Sequence, residues 1–161
     1  MGCDETPKPK HLWIQITSNC NLNCPYCYMN APEFRNYSID IIKFKEVVDA
    51  AKDLEFESIS ISGGEPLIHE KIKDILKYSS SKIQKTNLIT NGTLLNDEIL
   101  SILKKYGILV QISIDTIDRE RYKKSRGGHD VENVKKNILN IVNNKLDLTL
   151  SITLNKYNYD K

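Results

Sequence analysis

The sequence predicts an alpha/beta fold in which five parallel strands alternate with four helices and curve into a partly open barrel with a polar lumen. Three observations lead there. Strand-like and helix-like segments alternate along nearly the whole chain, and parallel neighbours need long return connections of this kind. The strand segments alternate apolar and polar residues, whereas parallel strands covered on both faces read as continuous apolar runs, so one face of the sheet is wet. The length of 161 residues suits a single domain.

Each element has its own signal. Leu12 to Thr17 reads as the first strand, after a Pro- and Lys-bearing tail over residues 1–10 that is expected to be flexible; residues 11–161 then form the domain. Ile41, Phe44, Val47, Val48, Ala51 and Leu54 recur at helical spacing. Glu57 to Ser62 is the second strand, and a helix carrying Ile68, Ile72, Ile75 and Leu76 follows. Asn87 to Thr90 is the third, with Ile99, Ile102 and Leu103 on its helix and Gly107 ending that helix. Ile108 to Ile114 is the fourth, before a helix with Val134, Ile138, Ile141 and Val142; Asp147 to Leu154 is the fifth. Ile59, Ile61, Ile112, Ile114, Leu148, Leu150, Ile152 and Leu154 share the parity that faces the helices. Gln15, Thr17, Ser58, Ser60, Ser62, Asn87, Asn91, Gln111, Ser113, Asp115, Thr149, Ser151 and Thr153 take the lumen parity. An antiparallel sheet with one wet face is the competing reading.

Composition narrows the partners. Lys and Arg number 23 against 21 Asp and Glu, a net +2 with no block of like charge, so nucleic acid is not implied. No apolar run reaches the ~20 residues of a membrane span, and no secretory signal opens the chain, so a cytoplasmic location is expected and no membrane partner. Met1-Gly2-Cys3-Asp4-Glu5-Thr6 does fit an N-myristoylation pattern, which has meaning only in a eukaryotic host. Four cysteines, three of them clustered, favour a metal site over disulfides in a reducing compartment.

The cluster is Cys20, Cys24 and Cys27, within Thr-Ser-Asn-Cys-Asn-Leu-Asn-Cys-Pro-Tyr-Cys-Tyr. A closed zinc site takes four protein donors and a four-iron cube takes one per iron, so three thiolates leave one metal position open. The cysteines follow the C-terminal end of the first strand, the edge where alpha/beta barrels carry their reacting groups. Gly63-Gly64-Glu65-Pro66, Asn91-Gly92-Thr93 and Asp115-Thr116 end the next three strands on that edge. Singly each is weak, since glycine and proline serve ordinary turns. Together they form one constellation.

From about residue 11 to 155 the chain resembles the core of the radical S-adenosylmethionine (radical SAM) enzymes, on the side of the peptide- and protein-modifying branch. The resemblance implies that Cys20, Cys24 and Cys27 bind a 4Fe-4S cluster whose open iron is chelated by S-adenosylmethionine. It implies that Tyr26 lies beside the last ligand near the adenine, or else shields the cluster from water. It places Gly63, Gly64, Glu65 and Pro66 at the methionine end, Ser113 and Asp115 at the ribose with Asn91 as neighbour, and Arg126 of Ser-Arg-Gly-Gly at the cofactor carboxylate, unless that segment is a solvated basic helix end. The activity implied is reductive cleavage of the cofactor to a 5'-deoxyadenosyl radical that abstracts hydrogen, with a flavodoxin or ferredoxin as reductant and a peptide or protein as substrate. No substrate-side acid or base is assigned.

Against that pattern, the family core has six strand-helix units and this chain carries five, with no cysteine after Cys27 for auxiliary clusters. A complementing C-terminal segment is therefore expected, since an uncovered fifth strand would present unpaired edge groups. Three other readings stay open: a glycyl-radical-activating type of enzyme, a truncated core without turnover, and a non-catalytic cluster or zinc module with Cys3 or His11 as fourth donor.

Overall fold

A computed structural model describes residues 10–29 and 36–159. The expected tail lies outside them apart from Lys10, and so does Cys3. Five strands form one sheet: β1 (His11–Gln15), β2 (Ser58–Ser62), β3 (Lys85–Thr90), β4 (Leu109–Ser113) and β5 (Leu148–Ser151). They pair in sequential order and every pair is parallel. The antiparallel alternative is therefore excluded for these strands. All five point the same way, so every strand-to-helix connection leaves from one edge of the sheet.

The helices are α1 (Ile41–Asp53), α2 (Ile72–Lys82), α3 (Asp97–Tyr106), α4 (Arg119–Ser125) and α5 (Glu132–Asn143). Local chemistry sets their ends. Asp40 accepts hydrogen bonds from the Ile42 and Lys43 amides, Asn96 from Ile99 and Asp118 from Arg121, each satisfying amides that open a helix. Gly107 closes α3 in the left-handed conformation.

Two expectations about helices are corrected. α4 is a fifth helix, where the sequence suggested four; at seven residues with only Tyr122 and Ser125 buried, it carries no apolar periodicity to find. The helix expected to run from Ile68 is broken. Pro66–Ile68 forms a single 3-10 turn capped by Glu65, and α2 starts at Ile72. Between them the buried His69 ring engages the Ile39 carbonyl at 2.9 Å and accepts from the Lys71 amide at 3.1 Å, holding the chain out of helical continuation.

The apolar core lies on one side of the sheet. Phe44 and Val48 of α1, Ile75 and Leu76 of α2, Leu103 of α3 and Ile141 of α5 pack with Ile59, Ile61, Leu88, Val110 and Ile112 of the strands. Each such side chain contributes roughly 1.5–3 kcal/mol when fully buried, so folding is driven from this face and the opposite face is left for other work. The expected burial fails at the fifth strand, which ends at Ser151 and not at Leu154. Leu150 on the edge strand β5 is 49% exposed, Ile152 and Leu154 beyond it are 60% and 74% exposed, and Leu139 and Val142 of α5 are 61% and 55% exposed.

Candidate cofactor-binding site

The cysteine loop leaves β1 and is fastened at its base. The Ser18 amide donates to the Tyr37 carbonyl at 2.9 Å and the Ile39 amide to the Ile16 carbonyl at 2.8 Å; Thr17 and Ser38 hydroxyls meet at 2.8 Å. On the other side the pairing of β1 with β2 continues past both strands. Ile16 donates to Ser62, Gly64 to Thr17 and Glu65 to Asn19, at 2.9, 2.8 and 2.7 Å. That continuation demands bare backbone: a Cβ on Gly63 would stand 2.4 Å from the Thr17 carbonyl oxygen, and one on Gly64 2.4 Å from that of Asn19. The two glycines thus press the second strand's exit against Thr17 to Asn19, the segment preceding Cys20.

Glu65 and Asn91 stand differently from what the motifs alone suggest. The Glu65 carboxylate is wholly buried and turned toward β3, where it accepts from the Thr90 hydroxyl, the Asn91 amide and the Leu67 amide. Burial pushes its pKa up to about 7, against the pull of those three bonds. Its oxygens are therefore engaged by protein donors, which offset only part of the cost of burying the charge. The Asn91 side chain donates to Asn21 at 2.9 Å, and Asn21 donates to Thr93 at 2.8 Å, so the end of β3 is tied to the cysteine loop.

Beneath the loop lies a charged cycle. Arg126 forms an ion pair with Asp115 at 2.9 Å, their side chains 8% and 0% exposed, and reaches Cys24 Sγ at 3.9 Å. Tyr26 donates to the other Asp115 oxygen, and the guanidinium sits 5.8 Å from the centre of its ring. Burial first, then the bond to Asp115, raises the Tyr26 phenol well above its ordinary pKa. Burial works against the Arg126 charge, but Asp115 and its neighbours outweigh it and hold the guanidinium above its usual value. Asp115 also accepts from the Thr153 amide at 3.3 Å.

These elements enclose a cavity of about 410 Å³ at the C-terminal edge of the sheet. Cys20, Cys24, Cys27, Tyr26, Gly63, Gly64, Asn91, Ser113 and Arg126 all line it, so the sequence brings nine of its twelve expected site residues to one wall. Glu65, Pro66 and Asp115 stand behind it: the buried Pro66 opens the 3-10 turn, and Asp115 holds Arg126 and Tyr26. Sequence reasoning missed Trp13, Tyr28, Met29 and Ile89 on the wall. Trp13 and Ile89 carried a signal, since both share the lumen parity of their strands. Thr90 and Asn21 were also missed as braces.

The donor set fits the cofactors that the sequence implies. Burial raises the pKa of Cys20 and Cys24 above the ordinary thiol value, opposed at Cys20 by the Leu22 amide and at Cys24 by Arg126, so metal binding must displace their protons. Among the described residues no three His, Cys, Asp or Glu side chains converge as ligands of one ion do. A four-iron cube takes one thiolate per iron, so its cysteine ligands need not converge on one point, and Cys20, Cys24 and Cys27 all line the same cavity. Arg126 Nε is buried without a partner, a donor left for a bound group. His11 does not serve as fourth ligand here: it bonds Ser58 at 2.7 Å at the opposite end of β1 from the cysteines.

Comparison with known proteins identifies the chain's relatives. The chain is 35% identical over 128 residues to the antilisterial bacteriocin subtilosin biosynthesis protein AlbA of Bacillus subtilis, covering 78% of this chain and 29% of that protein. It is 38% identical over 135 residues to a probable GTP 3',8-cyclase of Methanococcus aeolicus, covering 80% and 44%. The fold matches Streptococcus suis SuiB bound to its precursor peptide SuiA with a TM-score of 0.82 at 24% identity, over 92% of this chain and 34% of that one. The chain thus spans less than half the length of these proteins. Residues 14–161 match the radical SAM superfamily model, and with its three cysteines around one cavity at the strand ends, the chain belongs to the radical SAM superfamily.

Proposed function

We propose that this chain forms the cofactor-binding core of a radical SAM enzyme that modifies a peptide or protein. The observation that carries the reading is the convergence of Cys20, Cys24 and Cys27 with Gly63, Gly64, Asn91, Ser113 and Arg126 on one cavity wall. When bound, the cluster and S-adenosylmethionine supply one-electron cleavage of the sulfonium and a 5'-deoxyadenosyl radical that takes hydrogen from a substrate. The residues do the rest. The three thiolates hold the cluster, the backbone at Gly63 and Gly64 receives the methionine end, and Ser113 stands at the ribose with Asn91 nearby. Tyr26 covers the cluster loop, while the walls keep water from the reacting centre.

A peptide substrate is favoured over a nucleoside triphosphate by charge. Arg126 is the one charged side chain among the described residues on the wall, and it is already paired with Asp115. A triphosphate needs several cations. Relatives named as GTP cyclases keep the nucleotide reading testable. The described helices include none long and apolar enough to cross a membrane. Free cysteines at the site suit a reducing cytoplasm, with a flavodoxin or ferredoxin as electron donor. The exposed Leu150, Ile152 and Leu154 suit a complementing segment laid beside β5.

The test is anaerobic reconstitution with iron and sulfide, reduction with dithionite, addition of S-adenosylmethionine and measurement of 5'-deoxyadenosine against a Cys24→Ala control. Formation above the control supports the reading. A formed cluster without cleavage would leave a core that needs its complementing segment. Adding GTP or a precursor-like peptide then separates the substrate classes.

A further inference from the structure

Arg126 does more in this structure than wait for a ligand. One terminal nitrogen of its guanidinium donates to Cys24 Sγ at 3.9 Å, the other to Asp115 at 2.9 Å, and both charged side chains are almost fully buried. The fork is fixed from outside as well. The turn after α4 is packed on the cysteine loop so tightly that a Cβ on Gly127 would stand 2.6 Å from the Asn23 carbonyl oxygen, with Gly127 in the left-handed conformation. Asp115 is held in turn by Tyr26 and by the Thr153 amide. A second buried donor, the hydroxyl of Tyr122 on α4, has no partner, and Tyr122 feels the charges of Arg126 and Cys24.

We infer that Arg126 is a positioning residue that sets the reduction potential of the cluster through its N–H···S bond to Cys24, with Asp115 as a counter-charge that limits the effect. This rests on the proposed cluster at Cys20, Cys24 and Cys27. Reduction adds one electron from an external one-electron donor to the cluster and its thiolates, making the unit more negative by one charge; no bond or proton changes place. A buried cation with a hydrogen bond to a ligand sulfur stabilises the more negative state, and hydrogen bonds to sulfur and net charge are main determinants of cluster potential. In a site shielded from water the effect is not screened away. Removing Arg126 makes the cluster harder to reduce, and removing the Asp115 charge makes it easier.

The test is an EPR-monitored potentiometric titration of the reconstituted chain with dithionite and mediators, without S-adenosylmethionine. Iron content and visible absorption are recorded first on wild type, Arg126→Gln, Arg126→Lys and Asp115→Asn. Arg126→Gln should lower the equilibrium constant for reduction at least tenfold, about 59 mV for one electron. Arg126→Lys, which keeps the charge and loses the fork, should fall between, and Asp115→Asn should shift the midpoint upward. A role limited to folding would not move two charge-removing variants in opposite directions. If Arg126→Gln loses its cluster, the signs for Arg126→Lys and Asp115→Asn decide. Unchanged midpoints in cluster-loaded variants, or shifts of one sign for Arg126→Lys and Asp115→Asn, would overturn the inference. A wild-type chain that takes up no cluster would overturn the proposed function with it.

Discussion

Thr90 and Glu65 join the ends of β3 and β2: the Thr90 hydroxyl donates to Glu65 Oε1 at 2.7 Å, on a carboxylate with no exposed surface. The Asn91 amide, one residue on, donates to the other oxygen at 2.7 Å. A carboxylate within the family's GGEP segment therefore works as a bracket between strand ends.

That bracket makes stability depend on pH. The Glu65 pKa is raised from 4.5 to about 7 in the folded protein, chiefly by burial. Below pH 4.5 both states are protonated. Between 4.5 and about 7 the folded state keeps a proton that the unfolded chain has released, so stability falls as pH rises, and the deficit is complete above about 7. The full deficit is about 3 kcal/mol. Urea denaturation of the metal-free protein should show Glu65→Gln gaining about 2–3 kcal/mol on wild type between pH 5 and 8. A difference that stays flat with pH refutes this account.

The glycines of the same segment give a second prediction. A methyl group at Gly63 or Gly64 meets backbone oxygen at 2.4 Å, and backbone cannot swing aside as a side chain can. Gly63→Ala and Gly64→Ala should each lose about 2–4 kcal/mol in urea denaturation, the range of overpacking and strain. Gly107→Ala is the comparison. Its φ is +61° with nothing within 4 Å of the added carbon, so about 1 kcal/mol is expected there. Equal losses at all three positions would show that contact with Thr17 and Asn19 is not the cause.

How much of this was legible in the sequence follows from which signals are local. The parallel pairing was readable because strand-like and helix-like segments alternate, the cysteine-bearing edge because Cys20 follows the first strand, and the helix-side face because Ile59, Ile61, Ile112 and Ile114 alternate with polar residues. The direction in which a motif side chain points was not. Glu65 reads as a charge in the site and in fact turns to Thr90, a partner 25 residues away. Asn91 does line the cavity, but its bond to Asn21, 70 residues back, has no signal in the sequence. α4 escaped because a seven-residue helix has too few turns to show a period. The outer face of β5 was misjudged because alternation says which residues share a face and says nothing of what covers it.

The Asn91 link to the cysteine loop yields a third prediction. Asn91→Ala removes the bond to Asn21 and two bonds accepted from Thr93, its amide and its hydroxyl, at the rim of the fold. Each such bond contributes about 0.5–1.5 kcal/mol. The loss should fall on the loop, with amide hydrogen exchange in residues 19–24 accelerated about tenfold while the core of β2 and β4 exchanges as before. Uniform acceleration through the chain would instead make Asn91 a part of the global fold.

The two faces of β4 should respond oppositely to substitution. Ile112 is fully buried on the helix side and touches the position where a Gly92 side chain would lie, so Ile112→Ala leaves a cavity and should lose about 2–5 kcal/mol. Ser113 is its neighbour on the lumen side, half-buried and on the cavity wall. Ser113→Ala removes a hydroxyl whose partner is expected to be the cofactor ribose, so stability should change by no more than about 0.5 kcal/mol. Affinity for S-adenosylmethionine, measured by calorimetry on the reconstituted protein, should fall roughly tenfold, the loss of one buried hydrogen bond. Stability and affinity then separate across one peptide bond. A Ser113→Ala protein that binds the cofactor like wild type would remove the ribose contact from this strand and leave the lumen face of β4 to the substrate.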